Sequence, residues 1–363
     1  MNLAICKAQY SKITAIGESV KQLEKKTGDQ YLFLNQGVNA VVPINLTSVI
    51  PLIDFNSKDI QVYPPIKGRL PLRQAVNTVY FHSTTTEDAI TITSGGMSGL
   101  DLIFQTLDIE QLLLPAFYWG SYFHIANIRN KTIKTYTSLS ELLDLNISKK
   151  TAVIICDPNN PVGDKFDDDK LLLLIQSLNQ KQIPTIIDSP YRRVFYDNSD
   201  TFYEKISHYP SVIINESFSK SLGLSGQRIG FIHCTDNNFN KALGIRLMYA
   251  SNGVNAFSQI LIEKLLTTKE GKKATDDFKT KTRLAIQKNI NLLKSKRILA
   301  DTFYKDTHPI GIFVIVNLSE EELLKRKIAG ISLSFFTKDK KEEASQFSRI
   351  CVSVPHTELV KFF

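Results

Sequence analysis

The sequence is poor in cysteine, the residue that forms disulfides and often binds structural metal ions, with only 4 cysteines among its 363 residues. The four cysteines, Cys6, Cys156, Cys234 and Cys351, lie far apart and form no C-x-x-C pair. A disulfide scaffold and a zinc site are therefore both poorly supported. No apolar run is long enough for a membrane span or, near the start, for a signal peptide. We expect a cytoplasmic protein with no metal site and no membrane contact.

The sequence also lacks a long stretch of charge of one sign, although its formal net charge is +8. The densest basic run, Lys338–Lys341, contains Asp339 and is followed at once by Glu342 and Glu343. A nucleic-acid partner would favour a continuous basic stripe. We therefore interpret the excess as a solvated lysine-rich surface, with no nucleic-acid partner, and one or two of these charges are enough for an anionic ligand.

From residue 89 onward, short apolar runs alternate with helical patterns, which predicts an α/β fold with a mostly parallel central sheet flanked by helices. Later strands predict a smaller α+β domain. We place a large domain at 45–250 and a small domain at 1–44 and 251–363. The predicted strands are Ala89–Thr93, Leu112–Leu114, Thr151–Cys156, Ile183–Ile187, Val212–Ile214, Ile229–His233, Ile312–Val316, Ile331–Phe335 and Arg349–Val354.

Two candidate binding segments follow the ends of predicted strands, where open α/β sheets bind their ligands. Thr93–Gly99 opens a helix, and its glycines and free N–H groups suit a phosphate, although a tight strand-to-helix turn looks the same. Asp157–Gly163 sets two asparagines among two prolines and a glycine, which predicts a rigid loop. Such a loop either aims an amide at a planar ligand or is a simple turn.

Two further strand ends carry charged residues. Asp188 closes an apolar run, and it is either a surface acid or a buried charge that keeps a proton on a ring nitrogen. Lys220 lies in a glycine-bearing turn behind Ser217 and Ser219, and Arg228 follows eight positions later. This lysine is either a solvated charge or a Schiff-base amine tuned by neighbouring charges.

The order and separation of these segments resemble the class I and II aminotransferases over residues 37–354. Three motifs carry the resemblance, namely S-x-S-K at Ser217–Lys220, N-P-x-G at Asn160–Gly163 and D-x-x-Y at Asp188–Tyr191. The resemblance implies pyridoxal 5'-phosphate (PLP) as cofactor and the PLP-dependent transferase fold type I. The cofactor-binding residues that it implies are Gly95, Gly96, Met97, Trp119, Asn160, Asp188, Tyr191, Ser217, Ser219, Lys220, Arg228 and Tyr63.

The resemblance also assigns roles to these residues. Lys220, Asp188 and Tyr191 are the implied catalytic residues, with Lys220 holding the cofactor covalently and Asp188 on its pyridine nitrogen. The residues implied for the substrate are Arg349, Asn160 and Gly37, with Arg349 on the substrate carboxylate. Tyr63 resembles a tyrosine that reaches the phosphate of the neighbouring subunit, which implies a homodimer.

Some positions depart from the family pattern. Met97 replaces the usual hydroxyl residue of the phosphate turn, and Ser121 stands where the family often has asparagine. Because Trp119–Tyr122 resembles the family's W-G-N-H, we favour Trp119 as the aromatic residue that stacks on the cofactor. The other candidates are Phe117 and Tyr118. Arg246 lies where some members bind a distal carboxylate, but a helix-surface arginine is the favoured interpretation.

The resemblance predicts a PLP-dependent aminotransferase that exchanges amino groups between an amino acid and a 2-oxo acid. Because one fold supports several reactions, a PLP-dependent lyase, cyclase or oxidase of specialised amino-acid biosynthesis remains an alternative. A non-catalytic PLP-binding homologue is a more remote one.

Overall fold

The computed structural model describes residues 1, 6–197 and 199–363, and a seven-stranded sheet lies at its centre. The strands are β1 (Leu32–Phe33), β2 (Ile90–Thr93), β3 (Gln111–Pro115), β4 (Thr132–Tyr136), β5 (Thr151–Cys156), β6 (Asp164–Lys165), β7 (Thr185–Asp188), β8 (Val212–Ser217), β9 (Gly230–His233), β10 (His308–Pro309), β11 (Phe313–Val316), β12 (Ile328–Ala329), β13 (Ile331–Ser332) and β14 (Ser348–Cys351).

Helices cover this sheet and form much of the chain's C-terminal third. They are α1 (Lys12–Thr27), α2 (Lys58–Gln61), α3 (Leu70–Phe81), α4 (Gly96–Thr106), α5 (Gly120–Ile128), α6 (Leu139–Asp144), α7 (Asp168–Gln180), α8 (Arg192–Phe195), α9 (Phe202–Ile206), α10 (Phe218–Ser221), α11 (Asn237–Ser251), α12 (Ala256–Thr267), α13 (Lys269–Ser295), α14 (Glu320–Lys325), α15 (Lys341–Ala344) and α16 (His356–Leu359).

The central sheet has the strand order β2-β9-β8-β7-β5-β3-β4. The strands from β8 to β4 pair in parallel, whereas β9 runs antiparallel to both β2 and β8. The carboxyl ends of β2, β3, β5, β7 and β8 therefore meet at one edge, and the amino end of β9 joins them. This arrangement confirms the predicted α/β fold with a mostly parallel sheet.

The central strands form because their side chains are apolar on both faces. Ile154 and Ile186 lie in the hydrophobic core on one side of the sheet, and Ile155 and Ile187 lie in the core on the other side. Successive residues of a strand point to opposite faces, so a continuous apolar run is what a sheet covered by helices on both sides requires.

The sequence-based assignment missed β4 and the two-residue strands β6, β10 and β12, and it continued the strands predicted at 331–335 and 349–354 too far. β4 was missed because its exposed and half-buried residues alternate at the edge of the sheet, where Thr132 and Lys134 interrupt the apolar pattern. The strand predicted at 331–335 was wrong beyond Ser332, because Leu333–Phe336 is a 3-10 turn. The hydroxyl of Ser332 accepts a hydrogen bond from the Ser334 N–H (3.4 Å) and stabilises that turn.

A second, antiparallel sheet of β11, β14 and β13 forms in the last part of the chain. β1 pairs with β12, so the N-terminal segment joins this region. The predicted division at residue 250 stays a prediction, although α12 packs against α3 and its Leu261 and Leu265 belong to the core of the central sheet. That packing favours a later boundary.

Among residues 1, 6–197 and 199–363, no helix combines the length and the apolar character that crossing a membrane requires.

Candidate active site

A cavity of about 400 Å³ opens at the edge where the carboxyl ends of the parallel strands meet. Its walls come from the central sheet, from β11 and β14, and from the segment around α1. The lining residues are Ser11, Ile13, Thr14, Gln36, Gly37, Val38, Gly96, Met97, Trp119, Ser121, Tyr122, Cys156, Asn160, Asp188, Pro190, Tyr191, Ser217, Ser219, Lys220, Arg228, Phe313 and Arg349.

Lys220 lies in the one-turn helix α10 that directly follows β8. The Ser217 hydroxyl caps this helix by accepting a hydrogen bond from the Ser219 N–H (3.3 Å). The Lys220 ammonium donates a hydrogen bond to the carbonyl of Gly37. Burial lowers the pKa of Lys220, and the charges of Arg228 and Arg349 lower it further, while Cys351 acts in the opposite direction. The amine is therefore more readily available in its neutral, nucleophilic form than a surface lysine.

Asp188 ends β7 and is only 3% exposed. Its carboxylate accepts one hydrogen bond from the Tyr122 hydroxyl and another from Asn215 Nδ2 (2.7 Å). Burial raises the pKa of Asp188 to about 6, against the lowering effect of these two donors. The surface-acid interpretation of Asp188 is therefore wrong, and the site holds a buried carboxylate at the cavity wall.

Asn160 and Tyr191 extend from the loops that follow β5 and β7. Asn160 Nδ2 donates a hydrogen bond to the Tyr191 hydroxyl (3.1 Å). The loop that carries Asn160 is held by an internal contact, since Asn159 Oδ1 accepts a hydrogen bond from the Val162 N–H (3.1 Å), and Gly163 turns the chain with a φ of 77°. A Cβ at Gly163 would lie only 1.8 Å from a backbone oxygen, so this close approach requires glycine.

Arg349 lies on β14 and is only 1% exposed, yet no carboxylate pairs with it among the described residues. Its Nη1 donates to Asn160 Oδ1 (3.2 Å), and its Nη2 donates to the carbonyl of Asn35. The guanidinium stacks on the rings of Phe313 (4.2 Å) and Phe336 (4.8 Å). Burial lowers the pKa of Arg349. A buried guanidinium beside a cavity suits an anion, because its planar fork matches a carboxylate.

A second cationic region lies at the start of α4. Gly95 precedes this helix with a φ of 88°, and a Cβ there would lie 2.8 Å from Arg228 Nη2. Arg228 itself has a φ of 51° and donates to the carbonyl of Ser225 (2.8 Å). Gly96 and Met97 line the cavity beside Ser217 and Ser219. Helix N–H groups, two hydroxyls and an arginine together suit a phosphate.

The structure brings most of the predicted site residues together, with two exceptions. Gly95 touches Arg228 but does not line the cavity, and Tyr63 lies outside it with an exposure of 83%. Of the three candidate stacking aromatics, only Trp119 lines the cavity, since Phe117 packs on Phe303 instead. Arg246 also lies outside the cavity, where it bonds the carbonyls of Gln105 and Ala242 at 3.0 Å each.

Sequence reasoning missed several functional contacts. Tyr122 and Asn215 bond Asp188, the backbone of Asn35 bonds Arg349, and Phe313 covers Arg349. Of these, only Asn215 carried a usable signal, because an amide inside an apolar strand has to find a partner when it is buried.

The chain matches the sequence model of a family described as "Aminotransferase class I and II" over residues 33–362. It is 29% identical over 182 residues to a histidinol-phosphate aminotransferase of Flavobacterium psychrophilum. The aligned residues make up 47% of this chain and 48% of that protein. It is 26% identical over 239 residues to an aspartate aminotransferase of Pyrococcus horikoshii, covering 60% of this chain and 59% of that protein. The chain thus aligns with only about half to three-fifths of these relatives' length.

Solved structures of the same fold cover nearly the whole chain. The aspartate aminotransferase of Thermus thermophilus superposes with a TM-score of 0.83 at 17% identity, over 99% of this chain and 97% of that one. An aminotransferase of Mycobacterium tuberculosis superposes with a TM-score of 0.82 at 16% identity, with the same coverage of each chain. At these identities the likeness shows the fold.

Proposed function

Since this chain belongs to the class I and II aminotransferase family, we propose that it binds PLP and exchanges amino groups between an amino acid and a 2-oxo acid. One observation carries this proposal. Lys220, Asp188 and Arg349 come from three different parts of the chain, and all three line a single cavity. A buried acid, an amine of lowered pKa and an uncompensated guanidinium are costly to assemble without a ligand that needs all of them.

The residues around the cavity fit PLP from one end to the other. Arg228, the start of α4 and the hydroxyls of Ser217 and Ser219 suit its phosphate. Asp188 suits its ring nitrogen, and the paired side chains of Asn160 and Tyr191 suit its ring oxygen. Trp119 is the aromatic placed to cover the ring face, and Lys220 is the amine for its aldehyde carbon.

PLP, when bound, supplies an electron sink that stabilises negative charge at the substrate α-carbon. The other contributions come from the chain. Arg349 holds the substrate carboxylate through two parallel hydrogen bonds and so fixes the orientation of the α-carbon. Lys220 takes the proton from the substrate α-carbon as general base and, as general acid, delivers it to the carbon that carried the PLP aldehyde, for which its lowered pKa is suited.

We also propose that the protein is a homodimer in which Tyr63 of one subunit reaches the phosphate end of the other subunit's site. Three apolar side chains in this part of the sequence support the proposal by their exposure, namely Val62 at 57%, Tyr63 at 83% and Leu70 at 47%. Apolar surface left exposed in one subunit favours a protein interface when it forms a continuous patch. A cytoplasmic location stays a prediction.

An isotope-exchange experiment tests the proposed reaction. The purified protein with PLP is incubated with ¹⁵N-labelled amino acids and unlabelled 2-oxo acids, and mass spectrometry follows the label. We expect label in the new amino acid only when both a donor and an acceptor are present. Release of ammonia without an acceptor would contradict transamination and favour a lyase or an oxidase.

Two variants show whether the exchange belongs to this site. Lys220→Ala is expected to abolish it, because both the proton-transfer base and the cofactor anchor are lost. The matched control is Lys67→Ala, since Lys67 is a partly buried lysine that bonds the Asp88 carbonyl (2.8 Å) outside the cavity. Exchange that survives in Lys220→Ala would overturn the assignment.

A further inference from the structure

The two oxygens of the Asp188 carboxylate are held by side chains from two different elements. Oδ2 accepts a hydrogen bond from the Tyr122 hydroxyl, which lies on α5, and Oδ1 accepts one from Asn215 Nδ2 (2.7 Å) on β8. β7 and β8 are paired with Asp188 opposite Asn215, so the register of the sheet sets the second contact. Both donors are almost completely buried.

Asn215 has a second contact that reaches the phosphate end of the site. The same Nδ2 donates to the carbonyl of Gly96 (3.1 Å), the first residue of α4. The amide fits there only because residue 99 is glycine, since a Cβ at Gly99 would lie 2.2 Å from Asn215 Oδ1. Asn215 is therefore a direct link between Asp188 and the turn that opens α4.

Tyr122 connects Asp188 to Trp119, the aromatic residue that lines the cavity. It lies three residues after Trp119, and the two rings meet edge to face with centroids 5.6 Å apart. The Tyr122 hydroxyl donates to Asp188, and the buried thiol of Cys156 also lies within its reach. The function proposed above uses neither Tyr122 nor Asn215.

We propose that Tyr122 and Asn215 are positioning residues that keep Asp188 ionised at the ring-nitrogen end of the site, and that Asn215 also fixes Asp188 relative to the phosphate turn. This inference rests on the proposed function. A buried carboxylate remains charged only where donors replace the water that it has lost. Each donor favours the state in which the shared proton is on the ring nitrogen and the charge is on Asp188.

The two contacts predict different consequences. Tyr122→Phe removes one donor and leaves the ring packing and the phosphate turn in place. Asn215→Leu removes the other donor and also frees the Gly96 carbonyl, so it is expected to disturb the phosphate end as well. Tyr136→Phe is the matched control, because the Tyr136 hydroxyl is equally buried but bonds the Ile154 carbonyl (3.1 Å) instead of Asp188.

The test measures the protonation of the ring nitrogen directly, in holoenzyme prepared with PLP that carries ¹⁵N in its ring. We expect a protonated-type ¹⁵N shift in the wild type and in Tyr136→Phe, and a shift towards the unprotonated value in Tyr122→Phe and Asn215→Leu. The dissociation constant of PLP, measured by fluorescence, is expected to rise roughly tenfold in each of these two variants, as for the loss of a charge-assisted hydrogen bond. The phosphorus resonance of the cofactor is expected to move only in Asn215→Leu.

Each outcome bears on one proposal or on both. A wild-type ¹⁵N shift in Tyr122→Phe would overturn the inference while the proposed function stands, and this variant decides the question even if Asn215→Leu does not fold. An unprotonated ring nitrogen in the wild type would overturn the inference in the same way. A wild type that does not bind PLP would overturn both proposals.

Discussion

At the scale of single residues, burial of the Asp188 carboxylate is expected to lower the stability of the cofactor-free protein. Its pKa rises from the ordinary 3.8 to about 6 because the group is buried. Between these two values the folded protein keeps a proton that the unfolded chain has lost. The free energy of unfolding of the cofactor-free protein therefore falls as the pH rises through this window.

Asp188→Asn is expected to remove this cost. Because each pKa unit corresponds to about 1.4 kcal/mol, the rise from 3.8 to about 6 predicts that the variant is about 3 kcal/mol more stable than the wild type at pH 7 in the absence of PLP. The difference is expected to disappear below pH 3.8, where the Asp188 carboxyl is protonated in both the folded and the unfolded state. Urea denaturation at several pH values measures it. A cofactor-free variant that is less stable than the wild type at pH 7 would contradict this account of Asp188.

Arg349→Lys tests the proposed carboxylate site. Because lysine lacks the planar fork, the variant is expected to raise the KM for the amino-acid substrate roughly 10- to 100-fold with a smaller effect on kcat. Steady-state kinetics measure both constants. Arg246→Lys is the control, since Arg246 bonds two backbone carbonyls outside the cavity. An unchanged KM in Arg349→Lys would exclude this arginine from substrate binding.

The residues of the site differ in how readily the sequence reveals them. Lys220 and Asp188 stood out because a charge at the end of an apolar strand has to be paired, exposed or functional. Tyr122 gave no such signal, because a tyrosine in an apolar helix is compatible with simple packing. The role of the Asn35 carbonyl was also hidden, since every residue has a carbonyl and only the fold brings this one to Arg349.

At the scale of elements, a buried ion network holds the loops that carry Asn160 and Tyr191. Arg192 directly follows Tyr191 and bonds Asp168 through two contacts of 3.0 Å each and Asp200 through two contacts of 2.7 Å each. It also lies 3.5 Å from Asp157, which begins the Asn160 loop. This network couples the end of β7 to the loop after β5.

Arg192→Met is expected to destabilise the protein by about 3–5 kcal/mol, because it leaves the buried Asp200 carboxylate without its cation. Asp157 and Asp168 keep an ion pair with Lys165. Arg129→Met is the matched control, since the ion pair of Arg129 with Asp101 is about one-third exposed. Loss of such a surface pair is expected to cost about 1 kcal/mol or less. Urea denaturation compares the two variants, and equal losses would show that the Arg192 network does not hold the loops.

The elements that the sequence revealed are those whose pattern is set by burial alone. β5, β7 and β8 have buried side chains along their whole length, so their apolar runs were readable as strands. The antiparallel direction of β9 could not be predicted, because pairing is decided by distant partners. Because β9 is antiparallel to β8, its amino end lies at the edge where the parallel strands have their carboxyl ends. Arg228 therefore comes before its strand, whereas Asp188 and Lys220 come at or after the ends of their strands.

At the scale of the whole molecule, the site is assembled from the two sheets and the N-terminal segment. Arg349 lies on β14 and Gly37 follows β1, so both belong to the part of the cavity wall opposite the central sheet. Lys220, which follows β8 of the central sheet, bonds the Gly37 carbonyl. In the proposed homodimer, Tyr63 of the neighbouring subunit also belongs to the site. Within one chain, Tyr63 is not among the described residues that line the cavity.

Complementation between subunits tests the dimer. Lys220→Ala is expected to be inactive alone, and Tyr63→Ala is expected to have little activity. In a mixed dimer, one site combines an intact Lys220 with an intact Tyr63, so random reassortment is expected to restore about a quarter of the wild-type activity. Sedimentation velocity monitors the assembly. No gain on mixing, in samples shown to have exchanged subunits, would exclude Tyr63 from the neighbouring site.

The central claim is that Lys220 holds PLP covalently, and borohydride trapping tests it most directly. The absorption spectrum of the purified protein with PLP is recorded before and after borohydride, and the labelled peptide is then mapped by mass spectrometry. We predict a band near the violet edge of the visible range that borohydride removes, with the cofactor fixed onto Lys220. Absence of the band, or a label on another lysine, would contradict the claim and leave only the family and its fold.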